Sequence, residues 1–306
     1  MISFFVSNFL LTASLFSFFS FEPFPAFSFF ASPEEINLSS LAPIKKDPFS
    51  LGMVVSAKSA VIIDSASQAV LFEKEARSIR SIGSLTKLMS ALVFLETHPN
   101  LSSPATFLLE DRETGGREIV AAQDVLTIHD FLLASLVSSD NSATRSLMRL
   151  SGMSSADFVA KMNILAKEWG MAQTFFVDPT GLSSDNRSTA HDIARLLEQA
   201  TKQPVIKDAI QQSSFSVTGS LGIPYTFENT NDLLTSFLHE DPYFLIGGKT
   251  GFLPEAGYCL GVHLQKNGGK DLFIVVLGSE TSESRFEDVK ALTVWAYQTF
   301  SWENQE

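Results

Sequence analysis

Between Leu85 and Glu96, apolar residues surround a helical wheel almost completely, interrupted only by Thr86, Lys87 and Ser90. A helix that is apolar on every side belongs in a core, so residues 81–96 predict a buried helix. To either side the period changes. Ser59–Asp64 and Ala69–Glu73 read as two strands of a hairpin around Ser65–Gln68. Leu126–Leu136 predicts a second apolar helix with Thr127 near its start. Asp157–Trp169 predicts a third, with Phe158, Met162, Leu165 and Ala166 at helical spacing, and Thr189–Ala200 a fourth. Strands return with Phe244–Gly251, Gly257–Gln265 and Asp271–Gly278, the last two joined by Asn267-Gly268-Gly269. Phe286–Phe300 closes the chain as a helix. Helices fill the middle and strands lie at both ends. This pattern predicts an α/β (α+β) domain: an antiparallel sheet built from both termini with flanking helices, plus a helical lobe.

The amino terminus stands apart. Residues 1–21 carry no charged side chain and are long enough to span a bilayer. Residues 1–31 therefore read as an export signal or a membrane anchor. No Lys or Arg precedes the apolar run, and cleavage before Ser32 would place bulky Phe29 at −3, so cleavage and retention both stay open. Ser32–Ser50, with three prolines and mixed charges, reads as a linker, leaving 51–302 as the main domain. The 306 residues, 45% hydrophobic, suffice for a large core. A formal net charge of −12 excludes nucleic acid and an anionic membrane surface as partners, and any anionic substrate group would need local cations. Cys259 is the single cysteine, which excludes a disulfide framework and a thiolate metal cage; neither metal nor cofactor is expected.

Lys87 is the anomaly of the core helix. It lies one turn from Ser84, so hydroxyl and ammonium share a face. A buried lysine is costly unless it has a partner or a task. A serine hydroxyl is a poor nucleophile until a neighbouring base takes its proton. The five histidines fit no triad pattern, His129-Asp130 and His191-Asp192 reading as helix-surface pairs, so Lys87 is the available base. To serve, its pKa must fall from about 10.4 toward 7, a cost of roughly 4–5 kcal/mol. Burial supplies part of that shift, and repulsion from Lys249 is expected to supply more. Two further motifs follow in order: Ser139-Asp140-Asn141 in the elbow Val137–Ala143, and Lys249-Thr250-Gly251 on a strand. A phosphate-loop reading of Gly248-Lys249-Thr250 fails, because the glycine it requires is replaced by Tyr243. Ser-x-x-Lys, Ser-x-Asn and Lys-Thr-Gly together are the motif set of β-lactamases and penicillin-binding proteins.

From about Ser59 to Phe300 the chain resembles the serine D-alanyl-D-alanine carboxypeptidases, the low-molecular-mass penicillin-binding proteins. The likeness runs through Ser84–Leu92, Asp178-Pro179-Thr180-Gly181-Leu182, Ser188-Thr189-Ala190, Thr230-Asn231-x-Leu233-Leu234 and Gly248-Lys249-Thr250-Gly251-Phe252 continuing to Leu260. The elbow departs from the family by having serine after Asn141 where an acid is more common. The chain also stops soon after its last helix, without the β-rich domain and amphipathic tail of many relatives, which favours membrane attachment through the amino-terminal segment. The resemblance implies a β-lactamase/DD-peptidase-like fold, export to the periplasm or the extracytoplasmic face of the membrane, and a peptidoglycan stem peptide as substrate. It also implies covalent inhibition by β-lactam antibiotics. By the same resemblance Ser84 is the nucleophile, Lys87 its base, Ser139 a proton relay to the leaving amine, and Asn141 a positioning group. Lys249, Thr250, Gly251 and Phe252 bind the substrate, with the Ser84 and Phe252 N–H groups as oxyanion donors. Arg285 joins Lys249 and Thr250 at the substrate carboxylate; the alternative for Arg285 is an ion pair with Glu283 or Asp288. Carboxypeptidase action is the expected activity, with cross-link-cleaving endopeptidase as its rival. A β-lactamase is disfavoured because Glu168, the one glutamate between Ala166 and Leu182, lies in a helix ending with no Glu-x-x-x-Asn after it. A catalytically silent wall-binding protein is disfavoured because every motif residue is present.

Overall fold

The computed structural model describes residues 42–114, 120–267 and 270–302. Five antiparallel strands form the main sheet: β1 (Ser59–Asp64), β2 (Val70–Lys74), β3 (Tyr243–Leu253), β4 (Gly257–Lys266) and β5 (Lys270–Ser279), in the order β3-β4-β5-β1-β2. Strands from both ends of the chain meet where β1 lies against β5, with Ile62 opposite Ile274. The side-chain alternation of these central strands feeds two cores. Val61, Ile63, Phe273 and Val275 face one, while Ala60, Ile62, Ile274 and Val276 face the other. This explains why Ser59–Asp64 is buried along its whole length rather than on alternate residues.

Seven helices complete the described fold: α1 (Thr86–Leu95), α2 (Ile128–Leu136), α3 (Asn141–Leu150), α4 (Ser155–Glu168), α5 (Ala190–Thr201), α6 (Pro204–Gln211) and α7 (Ser282–Thr299). Phe286, Val289, Leu292 and Ala296 of α7 pack on one face of the sheet. Ile193, Leu196, Leu197 and Ala200 of α5 pack on the other, in the core that also takes α1 and the helical lobe. As the apolar wheel predicts, every residue of α1 from Thr86 to Phe94 is buried.

Three differences from the sequence pattern have local causes. Val125–Thr127 is a short strand paired with Pro104–Thr106, and α2 begins only at Ile128. Thr127 is its cap, exchanging hydrogen bonds with Asp130, so Asp130 is a capping residue rather than a partner of His129. Helix α7 starts at Ser282, four residues before the apolar pattern begins, because Thr281 and Ser284 cap it reciprocally. The described end of the stretch read as a linker is docked: Ile44–Lys45 pairs with Phe300–Ser301, and Lys46 Nζ donates to the last-turn carbonyls of Tyr297 and Gln298. The segment read as signal or anchor lies outside the described residues. Among those described, no helix is long and apolar enough to cross a membrane.

Candidate active site

Ser84 occupies the 3₁₀ turn Gly83–Leu85, which runs directly into α1 and so sets Ser84 and Lys87 on successive turns of one face. Lys87 Nζ lies 2.9 Å from Ser84 Oγ. Two more oxygens complete its surroundings, Asn141 Oδ1 and the Thr180 carbonyl, both accepting from Nζ at 2.6 Å. Lys87 is fully buried, whereas Ser84 stays partly open to solvent. Burial brings the Lys87 pKa down to about 7, against an opposing pull from Asp140 and Asp178.

Each oxygen is held from behind. Asn141 is the first residue of α3, where Asp140 accepts from Ala143 N at 2.7 Å as the cap. Ser139 turns the elbow with φ +61, a left-handed conformation that is strained for a non-glycine residue. It is half-exposed, two residues before Asn141. The Thr180 carbonyl belongs to a loop organised by one carboxylate: Asp178 accepts from Thr180 N, Thr180 Oγ1, Gly181 N and Ser183 N. Asn186 fastens that loop to α1 by donating to both Asp178 O and Thr86 Oγ1. Gly181 is required there: φ is +87, and a Cβ would run into the Gly83 carbonyl beneath Ser84. Turn-rich composition marks this stretch as a loop, but nothing in it announces which carbonyl will face the lysine.

Strand β3 forms the opposite wall. Lys249 and Thr250 are buried, and Thr250 Oγ1 is 2.6 Å from Thr230 Oγ1. Thr230 N in turn donates to Val137 O, tying strand to elbow. At Gly251 the strand passes so close to the nucleophile turn that a Cβ would strike Ile82 O and lie 3.3 Å from Ser84 N. Phe252, the next residue, stacks its ring on Tyr258 at 4.4 Å between centroids. Arg285, in the first turn of α7, is buried and reaches Gly251 O and Ser282 Oγ, with its guanidinium 5.5 Å from the Tyr258 ring. It makes no ion pair among the described residues. Asp288 instead accepts from Ser56, Ala57 and Ser279, so the ion-pair alternative for Arg285 is set aside.

Lys249 titrates well below the usual lysine range, first because it is buried and then because Lys87 and Arg285 repel its charge. Burial is the largest cause at both lysines, and the repulsion between their ammonium groups disfavours charging both at once. Asp192 lies 4.0 Å from His191 Nδ1, but it is buried and not on the surface, and it also accepts from Gln173 N and Thr174 Oγ1. Among the described residues no cluster of His, Cys, Asp or Glu could hold a metal ion.

A family model for D-alanyl-D-alanine carboxypeptidase matches residues 47–281. A D-alanyl-D-alanine endopeptidase of Escherichia coli (strain K12) is 31% identical over 245 residues, covering 79% of this chain and 77% of its own. A D-alanyl-D-alanine carboxypeptidase of Streptomyces sp. (strain K15) is 27% identical, covering 79% and 88% respectively. The crystal structure of the Streptomyces K15 DD-transpeptidase superposes with a TM-score of 0.75 at 25% identity, over 81% of this chain and 100% of that one. Penicillin-binding protein D2 of Listeria monocytogenes, in its cefotaxime-bound form, gives 0.68 at 30% identity with the same coverage.

Proposed function

The chain belongs to the D-alanyl-D-alanine carboxypeptidase family, and we propose that it removes the terminal D-alanine of peptidoglycan stem peptides through an acyl-enzyme on Ser84. The surroundings of Lys87 carry this reading. Asn141 Oδ1 and the Thr180 carbonyl can only accept, so a neutral Lys87 amine spends both its hydrogens on them. Its lone pair is then left for the Ser84 hydroxyl at 2.9 Å, within the range for proton transfer. With a pKa of about 7 the base is neutral in a substantial fraction of molecules near neutral pH.

In this mechanism Ser84 Oγ attacks the carbonyl of the penultimate D-alanine as Lys87 takes its proton. The oxyanion accepts from Ser84 N and Phe252 N, each worth about 3–4 kcal/mol in such sites. Ser139 passes the proton to the leaving amine, and water then releases the acyl group. Lys249, Thr250 and Arg285 receive the terminal carboxylate. That carboxylate supplies a counter-charge to Lys249, so substrate binding opposes the burial and the neighbouring cations that lower its pKa. The catalytic domain spans 51–302. Its substrate lies outside the membrane, so residues 1–31 serve as export signal or anchor to the extracytoplasmic face. β-Lactams acylate Ser84, a reading supported by the cefotaxime-bound relative.

The E. coli endopeptidase, matched over 77% of its length, favours cross-link cleavage as a second reading. Mass spectrometry of products from a pentapeptide, and separately from a cross-linked dimer, distinguishes the two. Loss of terminal D-alanine from the pentapeptide is the expected result. Cleavage of the dimer alone would replace it with the endopeptidase reading, and no product from either would overturn both.

The pH profile follows from Lys87. Its protonated form cannot accept the Ser84 proton, so the penicillin acylation rate should fall about tenfold per pH unit below about 7 and level off above it. Stopped-flow measurement with a fluorescent penicillin gives this curve. A profile flat from pH 5 to 8 would exclude a lysine base of this pKa.

A further inference from the structure

Beside the nucleophile turn lies a cavity of about 530 Å³ lined by Lys58, Arg80, Ser81, Ser184, Arg187 and Glu255. Three cations line one cavity of a chain whose net charge is −12. Arg187 is paired with exposed Asp185, but the other two are underused. Arg80 engages only Nε, on Ser59 Oγ, which leaves its terminal nitrogens unpartnered among the described residues. The Lys58 ammonium has no hydrogen bond or ion pair among them either. Glu255 is the one acid lining the cavity. Two uncommitted cations beside a third around a concave surface fit an anion.

Two elements link the lining of the cavity to the active site. Ser81 precedes Ser84 by three residues, pairs as a short ribbon with Arg187, and donates to the Ser184 carbonyl. Strand β3 crosses this turn at Gly251, and its turn into β4, closed by Ala256 N to Leu253 O, brings Glu255 to the cavity. The direction of the substrate follows from two points on that strand, on the reading proposed above. The terminal carboxylate lies at Lys249 and Thr250 and the reacting carbonyl at Phe252 N, so the peptide runs along β3 toward Leu253 and the turn. A strand advances about 3.3 Å per residue. The residue before the penultimate D-alanine therefore lies level with the far end of β3, and a long side chain there extends toward the turn that carries Glu255.

We infer that the Lys58–Arg80–Arg187 cavity is a specificity subsite for a carboxylate on the side chain of the third stem-peptide residue, as diaminopimelate carries and lysine does not. It rests on the DD-peptidase reading, with Ser84 attacking the acyl half whose side chain enters the cavity. Solvent-accessible charge pairs are individually weak, so discrimination comes from the cluster.

The test uses N-acetylated tripeptides ending in D-Ala-D-Ala whose first residue is diaminopimelate with a free side-chain carboxylate, the same residue as its carboxamide, or lysine. The wild-type chain should cleave the free carboxylate form with the highest kcat/KM. Lys58→Glu combined with Arg187→Glu, both at exposed positions, should lower that value about tenfold while leaving the carboxamide substrate and the penicillin acylation rate within about twofold of wild type. Equal losses on all three peptides, or no loss on any, would overturn the subsite. A carboxylate effect that appears only when the second stem residue is added would also overturn it, by moving the recognised group one residue back. Absence of both peptide turnover and penicillin adduct in the wild type would mark failure of the peptidase reading itself, a pattern none of the other outcomes gives.

Discussion

Replacing Ser84 by alanine is expected to abolish covalent labelling by a fluorescent penicillin and to lower peptide turnover by a factor on the order of 10⁴ or more. Among the described residues no other hydroxyl replaces it: Lys87 Nζ has Ser84 Oγ as its only hydroxyl partner there, its other contacts being the Asn141 and Thr180 oxygens. The fold should survive. Ser84 is half-exposed, and Lys87 keeps two of its three partners, so the loss is one hydrogen bond, about 1 kcal/mol. Thermal unfolding near the wild-type midpoint, with no label on the denaturing gel, is the predicted pair of results. Labelling that persists would remove Ser84 as nucleophile.

Lys87→Arg should be nearly as damaging to chemistry although it keeps the positive charge. Lysine serves here because burial lets it lose its proton near pH 7. Arginine stays protonated in proteins, so it cannot accept the Ser84 proton. General-base catalysis contributes about 10²–10⁴-fold, and the acylation rate should drop by that factor. The buried site adds a second penalty: Asp140 and Asp178 act on Lys87 only weakly against its burial, and a permanent charge there cannot escape by deprotonation. The variant should therefore also unfold at lower temperature, and the rate is to be measured well below its midpoint. An arginine variant keeping more than about a tenth of the acylation rate would contradict the base assignment.

What could be read from the sequence was whatever depends on spacing within one element. Ser84 and Lys87 meet because i and i+3 meet on any helix, and the core setting of Lys87 follows from the apolar wheel around it. The sheet built from both ends was visible because β1, β4 and β5 are long apolar runs. What escaped depends on loops and on distance in sequence. The third partner of Lys87 is a backbone carbonyl 93 residues away, and a carbonyl has no sequence signature. Helix α6 and the hairpin of Ser214–Thr218 with Pro224–Glu228 gave no expectation, since Pro204 at the helix start and Gly219 and Gly222 in the turn read as punctuation. The lowered pKa of Lys249 escaped because it depends first on burial and then on Lys87 and Arg285, brought to β3 from α1 and α7.

The lifetime of the penicillin adduct tests the account most directly. A β-lactamase needs a carboxylate that activates water against its acyl-enzyme. Here Glu168 is exposed at the end of α4, and Asp178 is engaged by the backbone of its own loop. Missing a base worth 10²–10⁴-fold, deacylation should be slow, each factor of ten corresponding to about 1.4 kcal/mol of barrier. Intact-protein mass spectrometry after mixing with penicillin should show one penicilloyl group, mapped to Ser84 by peptide digestion and lasting minutes or longer. Rapid hydrolysis of many equivalents of penicillin with no accumulating adduct, or an adduct on another residue, would contradict the account.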